Sequence, residues 1–562
     1  MTAAPRRTGE AADLVVRGRI ATLAENAPGD SDDLGFIEAI AIRAGLVVAA
    51  GSRPDIDAVT GPATRVLELA SDEVALPGLT DAHVHLADAA VAAAELHVDE
   101  ADTLSTVLAA VERAGDRQAN LETWIHGGGW DAGRWGRWPT ADDLETVVPG
   151  RRVVLWSHDL HAVWVSRAAL EVAGVRSGTP DPPGGVIRRT SDGEPSGVLH
   201  EDATGLVTAL LPRPAADELD RLIEAHTRRL LAFGIVAVHD MAELEVDATL
   251  ERGFASISRL AEAGRLPIRV HAGFRLAALD RAVEHGLRTG DPLADAGTGP
   301  VGSRARVGWL KLFADGTLGS RTAALLAPYE PEPERGEPPG GHAGILLAEP
   351  AELADATRRA SAAGIATAIH AIGDRALQAA VDALEPVASR TDARPRVEHV
   401  QLADPIDLRR MAEADILASI QPADLAADAA KARRAWGGRT ADSYPWRRLA
   451  EAGVRVAFGS DIPAGSDDPW PGIAMAVTRR GAGWPADESG YHPEEALSIG
   501  QALRAACVTA PAAASEGDRG RLAVGQRADL VVISAAGLED PDAFREVIPR
   551  LVLVDGSVAY EG

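Results

Sequence analysis

Eight short apolar runs punctuate the middle of the chain, at 76–79, 235–238, 268–270, 307–313, 365–369, 397–400, 416–420 and 454–458. They are rich in Val, Ile, Leu and Ala with few polar positions, the pattern of strands buried on both faces. Most are separated by Ala/Leu/Glu/Arg stretches of helical character, such as 351–363 and 376–388. Eight β/α alternations predict an α/β fold, a closed parallel (β/α)8 barrel of the TIM type. The ends read differently. Ala12-Asp-Leu-Val-Val-Arg-Gly18 and residues 39–51, then Arg527-Ala-Asp-Leu-Val-Val-Ile533 and residues 551–558, are β-rich runs broken by Gly or Asp-Gly turns. They predict one discontinuous β-sandwich built from residues 1–76 and 515–562, with the barrel in 77–86 and 229–514.

One spacing is out of scale. About 150 residues separate the first apolar run from the second, far more than one barrel helix needs. Residues 87–228 therefore read as an inserted subdomain, a pocket wall or lid. It holds six of the eleven tryptophans: Trp124, Trp130, Trp135, Trp138, Trp156 and Trp164. Stacking on such rings would favour an apolar or aromatic substrate portion; the same rings would equally serve as the subdomain's own core. A Pro/Gly-rich stretch over 328–344 reads as a mobile loop.

Composition narrows the function classes. At 562 residues, 46% hydrophobic and 25% charged, the chain can bury a large core without staples. A net charge of -27 argues against nucleic acid and anionic membrane partners. The single cysteine, Cys507, excludes an intramolecular disulfide and a Cys-rich metal site, and reads as a small buried hydrophobe. No signal core or transmembrane-length run is present, which makes the cytoplasm the default compartment.

Lysine is nearly absent. Of 56 basic residues only Lys311 and Lys431 are lysine. Lys311 lies in Val307-Gly-Trp-Leu-Lys311-Leu-Phe-Ala-Asp315, inside an apolar strand. A buried amine can shed its proton and capture carbon dioxide, which guanidinium cannot; the plainer reading is a snorkelling strand-end cation. The surrounding histidines decide between them. The first strand ends in Asp81-Ala-His83-Val-His85, where alternation puts both imidazoles on one face. Later strands end at His370, His399 and Asp461. All lie at or near C-terminal strand ends, where barrel enzymes keep their active sites.

In this order, Leu76-Pro-Gly-Leu-Thr-Asp-Ala-His83-Val-His85, Leu310-Lys-Leu-Phe-Ala-Asp-Gly-Thr-Leu-Gly-Ser-Arg321, His370-Ala-Ile-Gly-Asp-Arg375, Glu398-His399 and Phe458-Gly-Ser-Asp461 resemble the metal-dependent amidohydrolase superfamily, in the branch called amidohydrolase family 3 or YtcJ-like. The likeness runs from about residue 12 to 558. It implies a binuclear centre, most often zinc: His83 and His85 on the more buried ion, His370 and His399 on the other. It also implies that Lys311, carrying carbon dioxide as a carbamate, bridges the two. Asp461 would bind the buried ion and act as general base and acid. The activity implied is hydrolysis of a non-peptide carbon–nitrogen bond, in an amide, an N-substituted formamide or a similar small molecule. Metal-lowered water acidity would supply hydroxide at neutral pH. Family habit adds a homodimer. Trp130, His158, His161, Asp315 and Arg321 also fall in motifs matching the family and are candidate substrate contacts, with Glu201 a weaker one.

Two other readings stand beside this one. A mononuclear deaminase of the same superfamily would place a glutamate two residues after His370, where this chain has Ile372. A non-catalytic ligand-binding barrel would leave the filled ligand positions unexplained. No Gly-X-Ser-X-Gly elbow or Walker loop supports serine-hydrolase or NTPase chemistry.

Overall fold

Apolar runs too short for helices and bounded by turns form strands throughout. The computed structural model describes residues 11–562 apart from 25–31, 99–102, 118–119, 158–161, 183–184, 245–251, 294–303, 320, 332–341 and 486–488. Most of the stretch expected as a mobile loop thus lies outside the described residues. The chain divides into two compact units, Met1–Ala89 with Asp220–Gly562, and Ala90–Leu219.

The larger unit contains the barrel. Its eight strands are Leu79–Val84, Ile235–Asp240, Arg269–Arg275, Ala305–Phe313, Thr367–Ala371, Arg396–His399, Leu417–Ile420 and Val456–Phe458. Each pairs in parallel with the next. Closure comes from the stretch after the eighth strand: Asp461 N donates to His83 O at 2.8 Å, and His85 N to Ile462 O at 2.9 Å. Helices such as Pro350–Ala362 and Asp374–Leu384 follow the fourth and fifth strands and bury apolar stripes that include Leu353, Ala356, Leu377 and Val381.

The apolar run expected to open the barrel is in fact divided. Glu73–Pro77 pairs antiparallel with Leu530–Ser534, and the barrel begins only at Leu79. Gly78 is the crossing point: a Cβ there would lie 2.6 Å from Val236. The strand Glu73–Pro77 belongs to an eight-stranded sheet drawn from both ends of the chain, which also contains Leu14–Ala21, Phe36–Arg43 and Leu551–Val554. Alternation sorts its side chains. Val16, Ile40, Ile42, Val532 and Leu553 share one cluster, whereas Val15, Ala39 and Ala41 pack with Ile56 in another.

The unit Ala90–Leu219 is built on a six-stranded sheet with two cores. On Val153–Ser157, Val153 and Leu155 enter one cluster and Val154 the other, so this strand is apolar on both faces. Trp130 and Trp164 lie in the first cluster with Val107 and Leu144.

Among the described residues, no helix is long and apolar enough to cross a membrane. Cys507 is buried, its thiol set against Pro77 O at 3.3 Å and pushed by burial up to about 12, which makes it inert.

Candidate metal centre

His83 and His85 project inward from the end of the first strand because alternate residues share a face; both are buried. Each imidazole has one nitrogen assigned by its partner. His83 Nδ1 donates to Glu398 Oε2 at 2.7 Å, and His85 Nδ1 donates to Ala242 O at 2.5 Å, since both partners can only accept. Their Nε2 atoms each lie 3.3 Å from Asp461 Oδ1. Burial, then Lys311, lowers the His83 pKa to about 4, so the ring is neutral. Two nitrogen lone pairs and a carboxylate oxygen therefore face one another at contact distance. Nitrogen and oxygen donors gathered in this way suit a zinc-like ion.

The remaining expected ligands surround this trio. Ligand atoms of His83, His399 and Asp461 all lie within 4.8 Å of one another. His399 Nδ1 is bonded to Gln421 Oε1 at 2.9 Å, and burial lowers its pKa to about 3. His370 donates from Nε2 to Gly316 O at 3.0 Å, and its ring centroid is 4.4 Å from that of His399. Lys311 Nζ is 3.2 Å from His83 Nε2 in a side chain 1% exposed. Burial lowers the amine to about 8, against the pull of Glu398 and Asp461. The structure thus gathers all six sequence-predicted ligands. His399 and Asp461 hold left-handed backbone, φ 77° and 57°, a strain found where a site over-determines its geometry. Beside Lys311 opens a cavity of about 990 Å³, walled by Arg275, Phe313, Leu347 and Leu353 among others, a size suited to a small molecule.

Three expected substrate contacts have other duties. Asp315 is buried and accepts backbone N–H groups of Ala324 (2.8 Å), Ile372 (3.0 Å) and Gly373 (2.9 Å). It ties down the loop after His370. Arg321 is buried against Tyr329, 4.7 Å from its ring, and donates to Glu330 O. Trp130 is 1% exposed in the core of its own unit and donates from Nε1 to Leu155 O at 2.6 Å. These contacts serve the fold around the site. His158 and His161 lie outside the described residues, as does the side chain of Glu201. Sequence reading missed the groups that aim the imidazoles: Glu398, Gln421 and the Ala242 carbonyl. Gln421, just after the seventh strand, follows the same strand-end rule that located the histidines.

Imidazoles and a carboxylate converging at this end of a parallel barrel mark the chain as a metal-dependent hydrolase. Residues 70–560 match the amidohydrolase family. The chain belongs to that family and is a hydrolase of carbon–nitrogen bonds other than peptide bonds. It is 28% identical over 532 residues to YtcJ of Bacillus subtilis (strain 168), covering 93% of this chain and 96% of that one. It is 29% identical over 549 residues to the N-substituted formamide deformylase of Arthrobacter pascens, covering 93% and 95%. The crystal structure of an uncharacterized metal-dependent hydrolase from Pyrococcus furiosus shares the fold, with a TM-score of 0.72 at 23% identity, covering 93% of this chain and 98% of that one.

Proposed function

We propose that this chain hydrolyses a small amide, of the N-substituted formamide class or close to it, at a centre of two divalent ions, preferably zinc. The observation that carries the reading is the convergence of the His83 and His85 Nε2 lone pairs on the ionised Asp461 carboxylate. His83, His85 and Asp461 would hold one ion, and His370 and His399 the other. Lys311 would join them as a carbamate: its Nζ sheds one proton to become neutral, bonds the carbon of carbon dioxide and releases a second proton, so that a cation becomes an anionic ligand. When bound, such ions polarise a carbonyl and lower the pKa of water to about 7. Asp461 takes the proton from the attacking water at its carboxylate and returns it to the departing nitrogen. The C–N bond breaks, a C–O bond forms, and an acid and an amine leave. The relative named as a formamide deformylase supports this substrate class.

The deaminase alternative has no acid where it needs one, because Ile372 is apolar and gives its N–H to Asp315. The deciding experiment combines metal analysis with turnover of N-substituted formamides by wild type and Lys311→Arg. Arginine keeps its charge and forms no carbamate. The expected outcome is about two ions per wild-type chain, with release of formate and amine, and in the variant a lost ion and a fall on the order of 100-fold in kcat with the fold intact. Full activity in Lys311→Arg removes the lysine from the mechanism.

A further inference from the structure

Glu398 and Arg396 stand on the sixth barrel strand two residues apart, so both face the barrel interior, and both are fully buried. The carboxylate is shared. Oε1 accepts from Arg396 Nε at 2.6 Å, and Oε2 accepts from His83 Nδ1 at 2.7 Å. The guanidinium also reaches further, donating to Ala82 O at 2.5 Å and to His239 Nδ1 at 3.0 Å, with its carbon 4.5 Å over the Trp309 ring. The pair thus grips two successive residues of the first strand, one by its carbonyl and the next by its ring.

The four imidazoles of the centre are not aimed alike. His85 and His370 donate to the neutral carbonyls of Ala242 and Gly316, and His399 pairs with the side-chain amide of Gln421. His83 has a carboxylate at short hydrogen-bond distance behind it, whereas His370 Nε2 lies 3.5 Å from Asp315 Oδ1 and closer to the Gly316 carbonyl. Arg396 Nε, 2.6 Å from Oε1, sets a guanidinium counter-charge directly behind the carboxylate that His83 meets. A charge-assisted bond to Nδ1–H is stronger than one to a carbonyl and raises the basicity of the opposite nitrogen.

We propose that the Glu398–Arg396 pair is a positioning device that fixes the tautomer and direction of His83 and thereby sets how tightly the centre holds its metal. The inference rests on the reading of His83 as a metal ligand. Removing the carboxylate frees the ring to turn or to move its proton to Nε2, the atom that faces Asp461.

The test is a zinc titration of metal-free, full-length protein in competition with a chromophoric chelator, alongside formamide turnover across zinc concentrations. Glu398→Gln is expected to weaken zinc binding about 10–100-fold, to leave KM unchanged, and to regain most of its kcat as zinc is raised. Because Arg396 loses its counter-charge there, the double variant Glu398→Leu/Arg396→Met removes both charges. It is expected to keep the metal-free thermal midpoint while showing the same weakened zinc binding. Wild-type zinc affinity in both variants, or activity that stays low at every zinc concentration, makes the pair mere scaffold and overturns the proposal. His83→Ala separates the two levels: if it binds zinc as tightly as wild type, the ligand assignment falls and the positioning role falls with it.

Discussion

Asp315 accepts from three backbone N–H groups, that of Ala324 and those of Ile372 and Gly373 just after His370. Replacing it with alanine strands those buried donors at a cost of about 1–3 kcal/mol each where water cannot reach them. Asp315→Ala is therefore expected to lose several kcal/mol in chemical denaturation and to lower kcat by letting His370 drift, with KM little changed. A variant of wild-type stability with a raised KM would instead restore Asp315 as a substrate contact. At this scale the side chains that converge at the candidate centre were legible and their supports were not. Two imidazoles one residue apart on a strand, or one of only two lysines set against 54 arginines, announce themselves by type and spacing. Nothing in the residue types of Asp315, Arg321 or Trp130 says whether their polar atoms face a ligand or a neighbouring backbone. The partners that aim His83 and His399 sit 315 and 22 residues away, and only the closed barrel brings the first of them within reach.

Between elements, the closest approach at the centre is that of the stretch after the eighth strand to the first. A Cβ on Gly459 would meet His83 Cβ at 2.5 Å and His83 N at 2.7 Å. Neither backbone can yield, because Asp461 N and His85 N already bond across this seam. Gly459→Ala is expected to push His83 off Asp461 and to lower metal content and kcat together. Metal analysis of the purified variant checks this, and full metal content would show that the seam can slide. Seven of the eight barrel strands were legible within a few residues because continuous apolar runs are what two-sided burial demands. The first was misplaced because the apolar residues on either side of Pro77 and Gly78, Val74–Leu76 and Leu79, serve two sheets in succession. Periodicity carries no mark of that change; Gly78 does, through the room it leaves for Val236.

The molecule as a whole carries buried polar groups besides the candidate metal ligands. His271 stacks on His239 at 5.0 Å, lies 3.5 Å from Glu516, and has Arg519, Arg306 and Arg396 around it. Burial, partly offset by Glu516, lowers its pKa from 6.5 to about 4. A histidine with a depressed folded-state pKa contributes stability that is complete above the unfolded value of 6.5 and is lost as pH falls toward 4. Between pH 6.5 and 4.5 this amounts to about 2 kcal/mol. Urea midpoints across that window are expected to fall more steeply for wild type than for His271→Gln; parallel curves would count against the assignment.

The sheet shared by both ends of the chain also has a consequence in time. Glu73–Pro77 leaves the ribosome about 450 residues before its partner strand Leu530–Ser534. At 5–20 residues per second that delay is roughly 20–90 s. Throughout it, one side of Glu73–Pro77 offers unpaired N–H and C=O groups to any other extended chain. The last barrel strand, Val456–Phe458, is made well before the delay ends. A growing chain can thus hold all six candidate metal ligands while still carrying an open β-edge, and translation that halts between residues 461 and 530 leaves that edge exposed for good.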